Sequence, residues 1–522
     1  MYGRIWFRLL RPSPDLSPAP ALRAQSGPWV LPARRRPSLI AVGRFCFLNE
    51  THDVPAGAWD DPALQKLWRY NLHYFDDLNA QDAVSRVTLH EALLAQWVRE
   101  NPPAAGSGWE PYPTSLRIVN WIKWALAGNV LPVECVHSLA VQTRYLARRM
   151  EFHLLGNHLF ANAKALVFAG LFFDDKEAQQ WLATGMEILA AQLPQQILAD
   201  GGHFERSTMY HALALEDMLD LINVGRVFGA TLPAAWPGIA ARMREWLAAM
   251  CHPDGEISLF NDAAFGIAPM PDELGRYALA LGIDGAAAPY RQHRLLAASG
   301  YVRAAVAEAV LIMDVAPIGP DYLPGHAHAD TLSFELSLFG RRLVVNGGTS
   351  RYGLGPEREA ERGTAAHNTV TVDGQDSSEV WSGFRVARRA RPFDLDIADD
   401  GDCLRVACAH DGYTRLPGKP VHRRTWTLRS GALCVVDRIE GQFNSALARY
   451  HLHPDVICET AAGGRAGVLR LPGGKAVRWQ VSGGQVSLGA SVYCPEFGRR
   501  ETTQCLMIAF GDEREVKLEL GW

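Results

Sequence analysis

The densest run of proton-carrying side chains in this sequence is Gly325-His326-Ala327-His328-Ala329-Asp330. In an extended backbone side chains alternate, so His326, His328 and Asp330 would project to one side. Two imidazoles with a carboxylate suit either a metal or acid–base chemistry near neutral pH. The pattern alone is of moderate specificity, because structural histidine pairs share it. A second concentration, Asp200-Gly201-Gly202-His203-Phe204-Glu205-Arg206-Ser207-Thr208-Met209-Tyr210-His211, packs two histidines, a Glu–Arg pair and a tyrosine into one loop-to-helix entry. Ser207 as a helix cap explains part of it, but not the density of ionisable groups. Gly156-Asn157-His158 opens an apolar helix with Asn157 where a cap would sit, and taken alone it reads as that cap beside a satisfied histidine. Phe260-Asn261-Asp262 is another polar turn that reads as a cap. Downstream, Asn346-Gly347-Gly348-Thr349-Ser350-Arg351-Tyr352 and Arg362-Gly363-Thr364-Ala365-Ala366-His367-Asn368-Thr369 bring a further histidine, two arginines and a tyrosine close to strands.

Two kinds of element must position these groups. Helical periodicity predicts Thr88–Arg99, Ser115–Leu126, Val136–Arg149, Asn157–Phe173, Ala178–Leu198, Ala212–Phe228 and Ile239–Met250. Breakers such as Asn101-Pro102-Pro103 and Pro237-Gly238 separate them. Many similar helices joined by short turns point to a bundle, solenoid or toroid, and the lack of a fixed-period repeat argues against a named repeat array. Eleven of the 15 tryptophans precede residue 250. Trp68, Trp109, Trp121 and Trp124 gather with Tyr70, Tyr74 and Tyr112; most read as core, and any exposed ring would suit an apolar sugar face. The pattern changes near residue 295. Short β-branched or alternating runs follow: Ser333–Leu338, Arg342–Val345, Thr369–Val372, Leu404–Ala407, Thr425–Leu428, Leu433–Val436, Ala448–Leu452, Val477–Val481 and Val516–Leu520. Turn signals such as Asp373-Gly374 divide them, so the second half is expected to be an antiparallel β-sandwich. The expected domains are an Arg/Pro-rich arm over 1–60, a helical domain over 61–294 and a β domain over 295–522, with a ligand site where the two large domains meet.

Composition narrows the function classes. The chain has 522 residues, a net charge of −4, 48% hydrophobic and 21% charged residues, which is enough to bury a large core and excludes a disordered or fibrous chain. Near neutrality argues against a nucleic-acid partner. No run of about 18 apolar residues suggests a membrane span. Residues 1–40 hold seven arginines (Arg4, Arg8, Arg11, Arg23, Arg34, Arg35, Arg36) against one acid, Asp15. Their apolar runs are too short for a secretory signal, so the stretch reads as a poorly ordered or surface-draped arm. Nine cysteines without CxxC spacing look like reduced thiols. Together these lean to a cytoplasmic protein, with the periplasm as the alternative. Any basic groove would be local, drawn from Arg206, Arg351, Arg362, Arg385, Arg388 and Arg389, which otherwise read as solvated surface charge.

At several of these positions the sequence resembles the heparinase II/III family of polysaccharide lyases. The resemblance runs through Leu72-His73-Tyr74-Phe75-Asp76-Asp77-Leu78, Trp109-Glu110-Pro111-Tyr112-Pro113, Asn120-Trp121, Gly156-Asn157-His158, Glu205 to His211, Gly325 to Asp330 and Gly363 to Asn368, in the family's order. It implies an α+β multidomain fold, an N-terminal incomplete (α/α) toroid followed by a C-terminal antiparallel β-sandwich. It also implies cleavage of a uronate-containing acidic polysaccharide by β-elimination. There a base removes the C5 proton, the 4-linked oxygen leaves, and hydrogen bonds or positive charge neutralise the uronate carboxylate. Asn157 and His158 resemble the family's carboxylate-binding pair, Tyr210 its catalytic tyrosine and His326 its catalytic histidine facing that tyrosine. Arg206 and His211 would tune the phenol by lowering its pKa. Glu205, Trp121, Asn261, Arg351, Tyr352 and Arg362 join Arg206 and His211 as substrate-binding candidates. Whether Tyr210 or His326 is the base stays open. No cofactor is required. Some members hold a structural zinc, and His328, Asn346 and His367 fall at its ligand positions; the amide of Asn346, where an Asp is usual, leaves that metal open.

Two other functions compete. A glycoside hydrolase on the same scaffold would need two carboxylates facing the sugar about 5–10 Å apart, and Glu205 and Asp262 are the candidates. A non-catalytic glycan-binding or assembly protein in surface-polysaccharide biosynthesis is the third reading. The partner in every case is an acidic polysaccharide or oligosaccharide. Substrate identity, endo or exo cleavage and oligomeric state are not written in the sequence.

Overall fold

The computed structural model describes residues 12–285 and 292–522. The chain divides into two compact units that interleave along the sequence. One comprises residues up to Ile197 with Ala212–Ala241 and Ala268–Asp284; the other comprises Leu198–His211, Arg242–Ile267 and Gly285–Trp522.

The first unit is helical. Its helices include Lys66–Tyr74, Val87–Glu100, Pro111–Leu126, Val133–Ala147, Gly156–Phe172, Lys176–Gln196 and Pro271–Ala280. Helix Pro111–Leu126 starts on two prolines, whose fixed φ and missing N–H suit a first turn. It is buried on nearly every side, with Ile118, Trp121, Ile122 and Trp124 all but inaccessible. Helix Gly156–Phe172 is likewise almost wholly buried. The helix after it behaves differently. Asp175 caps Lys176–Gln196 by accepting from Ala178 N at 2.7 Å, and the helix buries only a stripe containing Trp181, Ile188, Leu189 and Leu193, the pattern of an outer amphipathic helix. Glycine lets these two helices approach closely: a Cβ on Gly170 would sit 2.5 Å from Leu182 N, and one on Gly185 would sit 2.8 Å from Ala163 O.

The arm belongs to this unit. Arg23 N donates to Phe172 O at 2.8 Å and Ser26 N to Val227 O at 2.8 Å, while Asn223 Nδ2 donates to Val30 O at 2.7 Å. A small antiparallel sheet follows, Leu39–Ala41, Arg44–Phe47 and Glu50–Asp53. The arm is thus draped on helices and carries strands, which its arginines and prolines concealed; Arg4, Arg8 and Arg11 lie outside the described residues.

The second unit is built on three antiparallel sheets. An eight-stranded sheet runs from Pro392–Asp399 through Val421–Arg429, Ala432–Glu440 and Glu515–Gly521 to Ile457–Thr460. A four-stranded sheet holds Val370–Val372, Ala446–His451, Glu501–Ala509 and Gln485–Tyr493, and a five-stranded sheet runs from His293–Leu296 to Arg341–Val344. Strand Val421–Arg429 alternates half-buried and buried residues with period two, so one face enters the core. That core joins Trp426, Leu433, Trp479 and Leu518 of the large sheet with Phe334, Leu336, Tyr450 and Leu506 of the others. All nine cysteines are free. Among the described residues no helix is long and apolar enough to cross a membrane.

Leu198–His211 and Arg242–Ile267 come from the part of the chain that reads as helical, yet they cluster with the β-sheets. The cause is hydrogen bonding. Asp262 N donates to His326 O at 3.0 Å, Asn261 N to Asp330 Oδ2 at 3.1 Å, and Ser207 Oγ to Asp262 O at 2.5 Å. A boundary drawn near residue 295 therefore cuts through a polar core that the second unit completes.

Candidate active site

Within the second unit, Tyr210 and His326 are neighbours. Helix Thr208–Val227 opens on Ser207, whose Oγ accepts from Tyr210 N at 3.2 Å, an N-cap bond to the third helical residue. That bond orients the helix's first turn, and Tyr210 stands on it with its ring centroid 4.1 Å from that of His326. Tyr210 Oη shares a 2.9 Å hydrogen bond with Tyr352 Oη. The segment Gly325 to Asp330 is irregular rather than a strand. It still gathers its polar groups, because all three turn onto Asn261 and Asp262.

Asp262 is the hub. Its side chain is wholly inaccessible. Its Oδ2 lies 2.8 Å from His326 Nδ1 and its Oδ1 2.8 Å from His328 Nε2. The Arg358 guanidinium grips both oxygens, Nη2 to Oδ2 at 2.7 Å and Nη1 to Oδ1. Burial alone would raise the carboxyl pKa, but Arg358 and the hydrogen bonds from His326 and His328 override it and hold Asp262 well below the usual carboxylate range. An ionised carboxylate only accepts, so both imidazoles donate to it. His326 then carries its proton on Nδ1 and keeps an Nε2 lone pair, the tautomer of a general base. Glu205 Oε2 lies 3.9 Å from that Nε2, so the imidazole sits between two carboxylates.

The phenols are the complementary half. Burial, then the neighbouring Tyr352 phenol and the Asp262 charge, push Tyr210 well above the usual phenol range. Tyr352 is raised the same way, by burial first and then Asp262. Both hold their protons. The expectation that Arg206 and His211 would lower the Tyr210 pKa is corrected by where those side chains go. Arg206 Nε donates to Ser299 O at 2.9 Å. His211 is enclosed between His203 N, 3.1 Å from its Nδ1, and Met243 O, 2.8 Å from its Nε2. Neither touches the phenol.

Other candidates divide likewise. Tyr352 is at the site. Arg362 is buried, donating to Ala327 O, Ser382 O and Arg385 O, so it holds loops rather than substrate. Asn261 is spent on scaffolding: its Nδ2 donates to Arg206 O and Tyr301 Oη, and its Oδ1 accepts from His328 N. Both Arg206 and Asn261 take the left-handed region, at φ 58° each, a strain that cross-bracing of this kind sustains. Arg351 pairs with Glu357 at 3.7 Å on the surface. In the first unit Trp121 has no exposed surface and packs on Phe75 and Trp97, so it is core. Asn157 lies inside the first turn of Gly156–Phe172, whose cap position is Leu155. Beside it, His158 Nδ1 is 3.2 Å from Glu151 Oε2 and its ring is 4.6 Å from that of Tyr112.

His328, Asn346 and His367 do come together, with the imidazoles 5.2 Å apart and Asn346 Oδ1 3.2 Å from His367 Nδ1. Among the described residues His328 Nδ1 and His367 Nε2 find no hydrogen-bond partner, as metal-binding nitrogens would not. The third position fails: Asn346 Oδ1 already accepts from Ser333 Oγ at 2.7 Å and brings no charge. Among the described residues no three His, Cys, Asp or Glu side chains are placed to hold a metal ion. This donor set does not fit a zinc.

Sequence reasoning gave Asp262 only a weak part and missed Arg358. Asp262 had a signal, the polar pair Asn261-Asp262 directly after Leu259-Phe260. Arg358 had none, because Pro356-Glu357-Arg358-Glu359-Ala360-Glu361-Arg362 reads as a solvated charged helix, yet Arg358 is fully buried.

Comparison with known proteins adds the family context. Residues 91–275 match the family model described as heparinase II/III N-terminus, and residues 288–521 match heparinase II/III-like, C-terminal. The chain is 26% identical over 248 residues to a heparin-sulfate lyase of Bacteroides stercoris, a stretch covering 44% of this chain and 37% of that enzyme. It is 26% identical over 463 residues to FtsZ-localized protein C of Caulobacter vibrioides, covering 80% of this chain and 75% of that protein. Thus it spans well under half the length of the first of these relatives. Among solved structures, heparinase III superposes with a TM-score of 0.72 at 18% identity, covering 90% of this chain and 80% of that one. This likeness agrees with the expected helical toroid and β-sandwich.

Proposed function

Because the chain belongs to the heparinase II/III family, we propose that it is a polysaccharide lyase that cleaves a uronate-containing acidic polysaccharide by β-elimination. The observation that carries this reading is the pairing of an Asp262-held His326 with the protonated phenol of Tyr210, ring to ring at 4.1 Å. An elimination needs one group to take a proton and another to give one, close enough to serve a single sugar. His326 Nε2 takes the C5 proton. The C5 electron pair forms the C4–C5 double bond, the C4–O4 bond breaks, and Tyr210 Oη gives its proton to the departing oxygen. Afterwards the proton on His326 returns to the Tyr210 oxygen, restoring both groups. The uronate carboxylate must be held by hydrogen bonds for the enolate-like state to be tolerable.

This division of labour follows from the electrostatics above. A buried phenol with a raised pKa is a poor base and a serviceable acid, while a neutral imidazole oriented by a carboxylate is the better base. Hydrolysis fits less well. Asp262, half of the carboxylate pair it would need, is inaccessible and gripped by Arg358 and two imidazoles, so it is not free to act on a sugar.

The test is incubation of the protein with uronate polymers of differing linkage and sulfation, followed by ultraviolet absorbance of the unsaturated sugar end. Product formation that disappears in both Y210F and H326A supports the reading. A folded protein that makes no such product from any of them overturns it. A second reading, a glycan-binding protein in surface-polysaccharide assembly, would need the same exposed site but no turnover. Polymer binding without product, unchanged in Y210F and H326A, would select it.

A further inference from the structure

Beside His326 the chain makes a short hairpin, Val380–Trp381 paired with Arg385–Val386. Its turn is held from beneath by two buried arginines. Arg362 donates to Ser382 O at 3.0 Å and Arg385 O at 3.2 Å. Arg358, the residue that grips Asp262, donates its Nε to Gly383 O at 3.1 Å. Gly383 fills a space with no room for a side chain, since a Cβ there would lie 2.4 Å from Gly353 O. The Phe384 ring stands 5.7 Å from His326 and 5.3 Å from Tyr352. The hairpin is therefore rigid and fixed against the catalytic groups.

What it presents is unusual for a surface turn. Trp381 is 55% exposed and Phe384 41% exposed. Trp381 sits directly opposite Arg385 in the antiparallel register, so the two side chains share one face. Of the six arginines that could make a basic groove, five are spoken for. Arg206 and Arg362 hold backbone carbonyls, and Arg351, Arg388 and Arg389 pair with Glu357, Glu379 and Asp321. No described residue pairs with the guanidinium of Arg385. An exposed indole next to an uncommitted guanidinium offers a flat apolar surface and a bidentate anion partner side by side, which is what a pyranose bearing an acid group requires.

We propose that this hairpin is a substrate subsite, in which Trp381 stacks on the sugar adjoining the one at Tyr210 and His326, and Arg385 pairs with that sugar's anionic group, carboxylate or sulfate. This rests on the lyase reading for the catalytic sugar and extends it to a second acidic residue of the chain. The experiment is affinity electrophoresis of the full chain in gels containing an unsulfated uronate polymer and, in a parallel arm, a heavily sulfated one, with W381A and R385Q beside wild type. Elimination kinetics are measured on the same proteins. Wild type should be retarded, and each variant should bind about fivefold more weakly and show a KM raised about fivefold, with kcat changed less. Retardation in the unsulfated arm identifies the carboxylate as the anion; retardation in the sulfated arm alone identifies sulfate. Variants that bind and turn over like wild type overturn the subsite and leave the lyase reading standing, and so does a wild type that makes product but is retarded by neither polymer. Variants that lose retardation while wild type makes no unsaturated product overturn the lyase reading and leave the subsite.

Discussion

A single oxygen separates Tyr210 from phenylalanine, and in this structure that oxygen bonds only to Tyr352 Oη among the described side chains. Tyr210→Phe should therefore keep the fold, with unchanged circular dichroism, while kcat drops about 10²–10⁴-fold through loss of the general acid. The same assay with Tyr352→Phe separates the proton donor from its neighbour, since that variant leaves Tyr210 Oη in place and should cost less. Asp262→Asn is a harsher change. It removes the acceptor that fixes the His326 tautomer and leaves Arg358 buried without its counter-charge. Activity should fall about 10³-fold or more and stability by about 3–5 kcal/mol, read by product formation and by urea unfolding. Preserved activity in the asparagine variant would remove Asp262 from the mechanism.

At the scale of elements, the site depends on two termini and a turn. Ser207 caps the helix that carries Tyr210 and also donates to Asp262 O, 2.5 Å away. Ser207→Ala should cost about 1 kcal/mol in stability and lower kcat as well, because the turn bearing Tyr210 loses its anchor. Thermal unfolding and product formation measure the two effects, and a normal kcat at reduced stability would show that the cap does not position the phenol. Gly383→Ala should displace the hairpin, as its Cβ would enter the space of Gly353 O, and lower kcat/KM through Phe384 and Arg358. Helices and strands themselves were legible. The run Val136–Arg149 became Val133–Ala147, and Leu433–Val436 became Ala432–Glu440, because hydrophobic period is a local property. The arm's strands were not, since short exposed segments such as Glu50–Asp53 carry no apolar alternation.

Across the whole molecule, several imidazoles are buried neutral. Burial lowers His203 to about 3, and His211 and His328 to about 4, against about 6.5 in an unfolded chain. Between those limits the unfolded state binds protons that the folded state refuses. Stability should then fall as pH drops from about 6.5 towards 4, by roughly 1.4 kcal/mol per unit for each such histidine. Asp262 acts in the same direction at lower pH, its depressed pKa giving stability that is present above the ordinary carboxylate value and lost as pH falls through the folded one. Unfolding midpoints measured at pH 7, 6 and 5 should decline steadily, and a flat profile would show these imidazoles to be solvated. What the sequence determined by itself was the order of helices and strands, since periodicity is read residue by residue, while Tyr210, Asn157 and His326 stand out as candidates through the family resemblance. Only the tertiary structure decided that Asp262 and Arg358 organise the site, that Trp121, Arg362 and His211 are buried supports, and that Phe260-Asn261-Asp262 belongs with a histidine run more than sixty residues away. Burial and long-range hydrogen bonding set those roles, and neither leaves a periodic trace in the chain.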